Sequence, residues 1–281
     1  MTAETASAAA RGGARPRVLA LANQKGGVGK TTTAINLGTA LAAVGERVLV
    51  VDLDPQGNAS TGLGIGREAR TVSTYDVLTG GATLAQSVVA TAVPRLHVAP
   101  STLDLLGAEA ELAGERRRPF KLRDAITAMG EEARDGGQQG FGYVLVDCPP
   151  SLNLLTINAM TAADAILVPL QCEFFALEGL GQLLETVEQV RATLNARLTI
   201  HGVVLTMFDG RNNLSGQVAD DVRQYLGDKV YETVIPRNVR VSEAPSYGKP
   251  VLLYDYGCPG SQAYIRLASE VIRRERKETA A

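Results

Sequence analysis

The sequence predicts an α/β fold with a mostly parallel central sheet and helices on both of its faces. Three observations carry that expectation. Short β-branched or leucine-rich runs recur along the chain, stretches with apolar residues at helical spacing separate them, and a glycine-rich segment joins the first run to the first helix. The runs read as strands are 17–22, 47–52, 96–99, 143–147, 165–169, 200–206 and 232–235. Between the first two, Ala34, Leu37, Leu41 and Val44 recur at the helical period, and Gly45 stands where such a helix ends. Two further stripes, Leu180, Leu183, Leu184, Val187, Val190 and Leu194, then Val218, Val222, Tyr225 and Leu226, read as core-facing helices. The stretches 62–81 and 114–121, the latter with its Arg116-Arg117-Arg118 run, read as surface excursions, and 134–142 as a loop feeding the strand at Tyr143. No repeat or long linker divides the chain, so one domain over 17–277 is expected, with a disordered tail at 1–16 and a short one at 278–281.

Bulk composition narrows the class. With 281 residues, 45% hydrophobic and 21% charged, the chain can bury one large core. A net charge of −2 gives no overall basic excess, so any nucleic-acid contact must come from a local patch. Cys148, Cys172 and Cys258 are odd in number and lack C-x-x-C spacing, which fits buried thiols in a reducing compartment. The start has no continuous apolar segment of the signal-peptide kind, and no run of about 18 apolar residues suggests a membrane span. A cytoplasmic protein is expected.

The glycine-rich segment is Asn23-Gln24-Lys25-Gly26-Gly27-Val28-Gly29-Lys30-Thr31-Thr32. Lying between a predicted strand and a predicted helix, it has the context of a phosphate loop: glycines let the backbone wrap the anion, and the helix start offers unpaired N–H groups. Lys30 is then placed to reach the β- and γ-phosphates, Thr31 to set its hydroxyl on Mg²⁺, and Thr32 to lie near the α-phosphate. The standard G-x-x-x-x-G-K-[ST] pattern needs glycine at position 24, where this chain has Gln24. The match is to a variant, K-G-G-x-G-K-[ST]-T, with a second lysine at its front.

Carboxylates follow at two strand ends. The second strand closes as Val50-Val51-Asp52-Leu53-Asp54-Pro55-Gln56-Gly57-Asn58, putting Asp52 and Asp54 at the carboxyl edge where α/β proteins bind ligands. Alone, this composition also describes a simple turn. The run Tyr143-Val144-Leu145-Val146-Asp147 is apolar until its last residue, a Walker B pattern whose aspartate holds Mg²⁺, often through water. Pro149-Pro150 then breaks the strand.

Taken together, these segments resemble the deviant Walker ATPases, and specifically the ParA/Soj chromosome-partitioning branch of the P-loop NTPases. The likeness extends through Thr206-Met207-Phe208-Asp209-Gly210-Arg211 and the stretch from Ile235-Pro236-Arg237-Asn238-Val239-Arg240 to Lys249, covering about residues 18 to 271. The resemblance implies an ATP-bound sandwich homodimer in which Lys25 crosses to the partner's nucleotide, Asp54 orients the attacking water, Asp52 supports the metal shell and Asp147 is the Walker B ligand. It implies that Lys25, Gly26, Gly27, Val28, Gly29, Lys30, Thr31 and Thr32 surround the phosphates. Adenine would lie between Met207 and the Pro236, Arg237, Asn238 turn. It also implies slow hydrolysis stimulated by a ParB-type partner, and nonspecific binding to double-stranded DNA of the nucleoid. Candidate phosphate contacts are Arg211, Arg223, Lys229, Arg240, Lys249, Arg266, Arg273 and Arg274, with Arg240 the leading one.

Three relatives of the same fold give competing readings. A membrane-positioning ATPase like MinD needs a terminal amphipathic helix; here 261–277 carries Tyr264, Leu267, Ala268 and Val271 on one stripe but no bulky apolar residues near the end, so no stable membrane association is expected. An iron–sulfur reductase component needs a second cysteine to partner Cys148. A bacterial tyrosine kinase needs a C-terminal tyrosine cluster, and 273–281 has none. His97 and His201 lie by strands and read as structural.

Overall fold

The computed structural model describes residues 15–173 and 176–280. The amino-terminal tail expected at 1–16 lies outside them up to residue 14, and so does residue 281. Arg15 is already tied down, with its guanidinium 3.5 Å from the Asp164 carboxylate.

Seven strands form one sheet: β1 (Arg17–Leu21), β2 (Val48–Asp52), β3 (Val89–Ala90), β4 (Leu96–Ala99), β5 (Tyr143–Asp147), β6 (Ala165–Gln171) and β7 (Thr199–Thr206). Their order is β3-β4-β2-β5-β1-β6-β7. All neighbours run parallel except the two-residue β3, which pairs antiparallel with β4. Every residue of β2 and β5 is buried, as expected of parallel strands covered on both faces, and explains why they read as unbroken apolar runs.

Successive side chains enter opposite cores. Val18 and Ala20 join one cluster, Leu19 and Leu21 the other. Helices α1 (Lys30–Ala43) and α6 (Pro259–Ala280) cover the second face, while α2 (Lys121–Asp135), α3 (Leu154–Ala162), α4 (Ala176–Thr193) and α5 (Asn213–Leu226) cover the first. Leu37 and Leu41 on α1, Leu180, Leu183, Val187 and Val190 on α4, and Val218 and Val222 on α5 are all buried. Gly45, at φ 100°, ends α1 in the left-handed region where glycine is unstrained.

Several expectations are corrected. Val44 and Tyr225 are 50% and 69% exposed: Val44 is the residue that caps the end of α1 and Tyr225 lies in the last turn of α5. The stretch 62–81 is more than a surface excursion: a helix over Thr74–Thr79, capped by Ser73 and Asp76, buries Val77 and Leu78 in the first core. The run 232–235 is not a strand. Glu270 on α6 accepts the backbone N–H groups of Glu232 and Thr233, both at 2.9 Å, which diverts them from the ladder. Only fragments of pairing survive there, Tyr231 N to Val203 O at 2.9 Å and Ile235 N to Leu205 O at 2.8 Å. The last helix continues to Ala280, into the segment read as a tail. Among the described residues no helix is long and apolar enough to cross a membrane.

Candidate nucleotide site

The carboxyl ends of β1, β2, β5 and β7 converge on one cavity of about 500 Å³, ample for a nucleotide. The loop after β1 is built from its own side chains outward. Asn23, 3% exposed, donates its amide to Pro169 O at 2.8 Å and accepts the Lys25 N–H at 3.1 Å, fixing the entry to the turn. Gly27 and Gly29 sit at φ 75° and 89°, conformations that an L side chain would strain. Thr206, ending β7, donates its hydroxyl to Val28 O at 2.8 Å, so the loop is held from the far side of the sheet. Lys30 is buried, and its Nζ donates to Lys25 O at 3.0 Å across the loop. Burial pulls its ammonium below the usual lysine range, against the attraction of Asp147 and Asp54.

Lys25 behaves differently from Lys30. Its side chain does not line the cavity but turns to the carboxylate of Glu173, beyond the end of β6. Val28 is also absent from the lining, being buried in the core.

The three aspartates have distinct environments. Asp52 and Asp147 are register partners at the ends of β2 and β5, both fully buried. Asp52 is well satisfied: it accepts Ser60 N at 2.8 Å, Ser60 Oγ at 2.6 Å and Asp54 N at 3.2 Å. Burial raises it to about 6 despite those bonds. Both carboxylate oxygens of Asp147, by contrast, are buried and accept no hydrogen bond of good geometry, the Thr31 hydroxyl approaching only loosely. Burial and then the neighbouring Asp52 hold its carboxyl well above the usual range. Two orphaned buried oxygens beside Lys30 and Thr31 fit a divalent cation with its water shell. No group of three His, Cys, Asp or Glu among the described residues could hold a metal alone, so a cation here would depend on nucleotide phosphates and water as well. Asp54 is half-buried, lines the cavity and accepts Gln56 N at 2.9 Å.

Gly26, Gly27, Gly29, Lys30, Thr31 and Thr32 of the glycine-rich loop line the cavity, as do Met207, Pro236, Arg237 and Asn238. Met207 has φ 48°, an uncommon backbone for a non-glycine residue, stabilised by Phe208 N donating to Ile235 O at 3.0 Å. Tyr264 of α6 joins the wall, with its hydroxyl 3.4 Å from Thr33. Sequence reasoning gave no site role to Asn23, Ser60, Glu173, Thr206 or Tyr264, although Asn23 and Thr206 each open a quoted segment and Tyr264 stands on the quoted C-terminal stripe.

The basic candidates are scattered in character. Arg211 is 89% exposed but forks onto Asp209, holding that carboxyl at about 2. Arg240 pairs with Glu243 at 3.0 Å and Asp255 at 3.5 Å, Arg223 with Asp220 at 3.8 Å, and Arg273 with Glu232 at 3.2 Å. Lys229, Lys249 and Arg266 are exposed. Arg274 is a structural residue instead: it donates to Asp228 O and Val230 O, pairs with Glu270 and lies 4.2 Å over the Tyr231 ring. Cys148 is buried behind Asp147, and burial pushes its thiol up.

Comparison with known proteins gives three concordant findings. The AAA domain family model matches residues 16–200. Over 264 residues the chain is 66% identical to the chromosome partitioning protein ParA of Caulobacter vibrioides, covering 94% of this chain and 97% of that one. It is 52% identical over 255 residues to the sporulation initiation inhibitor protein Soj of Bacillus subtilis, covering 91% and 98%. Among solved structures, cobyrinic acid a,c-diamide synthase from Mycobacterium smegmatis with bound ADP and magnesium is similar with a TM-score of 0.79 and 37% identity, over 93% of this chain and 96% of that one.

Proposed function

Because the chain belongs to the AAA domain family and, within it, to the ParA/Soj chromosome-partitioning ATPases, we propose that it is a DNA-partitioning switch whose catalytic site is completed by a second copy of itself. ATP occupies the cavity with its phosphates in the loop from Gly26 to Thr32 and its base toward Met207 and the Pro236–Asn238 turn. Lys30 meets the β- and γ-phosphoryl oxygens, and the N–H groups opening α1 complete the cradle. The Thr31 hydroxyl and the Asp147 carboxylate would hold Mg²⁺, with Asp52, fixed by Ser60, behind them. When bound, Mg²⁺ neutralises charge on the β- and γ-phosphates. Asp54 orients the attacking water.

The single observation that supports the self-completing reading is the position of Lys25, which is absent from the lining of its own cavity and engaged outward on Glu173. A lysine so placed supplies its charge in trans, in the manner of an arginine finger. Turnover is therefore slow in the monomer. The dimer holds double-stranded DNA nonspecifically through exposed cations such as Arg211 and Arg240, and a ParB-type centromere-binding partner stimulates hydrolysis and release.

Lys25→Ala is the decisive variant. It should bind ADP like the parent yet lose dimer-dependent ATP hydrolysis by on the order of 10³-fold. Parental turnover in that variant would overturn the trans role. DNA binding measured with ATP and with ADP at two ionic strengths checks the remainder: it should require ATP and weaken steeply with salt.

A further inference from the structure

Arg70 is the one buried arginine among the described residues, 9% exposed. It belongs to none of the motifs, and it forms no ion pair with a described carboxylate. Its guanidinium makes four hydrogen bonds to neutral acceptors instead. Nε and Nη2 donate to Ile65 O at 3.2 and 2.9 Å, Nη2 also donates to Thr61 Oγ1 at 2.7 Å, and Nη1 donates to Ser101 O at 3.0 Å. Burying a cation with no direct ion pair, only the through-space attraction of Asp52, is costly, so a role is expected of it.

What these bonds reach is the underside of the loop that carries the aspartates. Gly57 packs directly on Nη1, so closely that a Cβ there would overlap it. Gly57 N closes the turn onto Asp54 O at 2.8 Å. Gly57 O accepts both the N–H and the hydroxyl of Thr61, each at 3.0 Å, and that hydroxyl also accepts from Arg70. One residue back, Ser60 anchors Asp52 and takes the Ser101 N–H at 3.1 Å. The planar fork of one arginine therefore ties the Asp54–Gly57 turn, the short helix Asn58–Gly62 and the segment after β4 into one body.

We propose that Arg70 is a positioning residue for hydrolysis: it braces the turn from beneath so that the Asp54 carboxylate stays aimed at the attacking water. This rests on the role given above to Asp54. A brace of this kind acts on the reacting geometry and not on ground-state nucleotide binding, since a displacement of about 1 Å in a catalytic group can lower turnover by up to about 100-fold.

The test compares Arg70→Lys, Thr61→Val and Asp54→Ala in the full chain, measuring ATP hydrolysis at saturating Mg²⁺ and the affinity for a fluorescent ADP. Arg70→Lys keeps the charge and loses the fork. It should lower kcat about tenfold while KM and ADP affinity stay within about twofold. Thr61→Val removes one arm of the brace from an exposed position; it should lower kcat about threefold in the same pattern, and it carries the test if Arg70→Lys does not fold. If Asp54→Ala hydrolyses ATP at the parental rate, the reading of Asp54 fails and the brace with it. If Asp54→Ala is inactive but both other variants keep parental kcat, the reading stands and the brace is overturned. A fall in kcat matched by an equal loss of ADP affinity also overturns it, since that pattern marks general loosening of the site.

Discussion

To reach a partner's nucleotide, Lys25 must first leave Glu173, and replacing Glu173 by Gln should therefore strengthen nucleotide-dependent dimerisation. The two side chains are 39% and 43% exposed, so the pair is worth no more than a surface ion pair, about 0.2–1 kcal/mol. A symmetric dimer breaks two such pairs, one per copy, so their loss from the monomer favours the dimer by about 0.4–2 kcal/mol. That converts to a dimer dissociation constant lower by about 2- to 30-fold. Sedimentation velocity with Mg²⁺ and a non-hydrolysable ATP analogue reads the constant directly. The difference between parent and variant should shrink at high ionic strength, where exposed pairs are screened in both. Fold stability should change by less than about 1 kcal/mol. If Glu173→Gln dimerises no better than the parent, or worse, then Glu173 does not restrain Lys25.

Two further predictions concern buried charge. Asp147→Asn should stabilise the nucleotide-free protein at pH 8 by about 1–3 kcal/mol in urea unfolding, because it removes a buried carboxylate that accepts no well-formed hydrogen bond and is crowded by Asp52, costs that the nearby Lys30 only partly offsets. The sign follows from its raised pKa: the penalty is absent below the unfolded value near 4 and complete once pH exceeds the folded one. The same variant should lose the added stability that Mg²⁺ and nucleotide give together, and a parental response to Mg²⁺ would refute the assignment. His201, fully buried against Tyr231, is lowered to about 4 from 6.5, first by burial and then by Arg17 and Arg274. The unfolded chain takes up a proton between those values and the folded one does not. Stability is thus lost as pH falls from about 7 to 4, by about 3 kcal/mol relative to His201→Gln over the same range. Parallel pH profiles for the two proteins would exclude this.

What the sequence made legible depended on where the determinants lie. Strands at 96–99 and 143–147 match to the residue; the second, parallel to both neighbours and wholly buried, carries its signature locally. The run at 232–235 misled because its apolar pattern is genuine but its N–H groups are claimed by Glu270, 38 residues onward. Periodicity also cannot report where a helix ends, which is why Val44 and Tyr225, at or past the last turns of their helices, were expected inside. In the candidate site, the convergence of Lys30, Thr31 and Asp54 on one cavity, with Asp147 at the adjoining strand end, was readable because such residues announce themselves by type and spacing at strand ends. Glu173, Thr206 and Arg70 were not. Glu173 meets Lys25 across 148 residues and Thr206 meets Val28 across 178, and nothing near Arg70 in sequence distinguishes it from Arg67, which is exposed.

The two outer borders of the sheet have a bearing on assembly. At one, β3 covers β4 with only two residues, in the direction opposite to all the other strands; at the other, Tyr231 and Ile235 donate their N–H groups to the Val203 and Leu205 carbonyls of β7 without completing a strand. Open borders invite another chain to add on sideways. If the work of the molecule depends on meeting its twin, as proposed above, that encounter has to be kept apart from such edge pairing. Short and partly occupied borders leave the rim that carries the candidate cavity as the surface on which the proposed self-recognition can be switched.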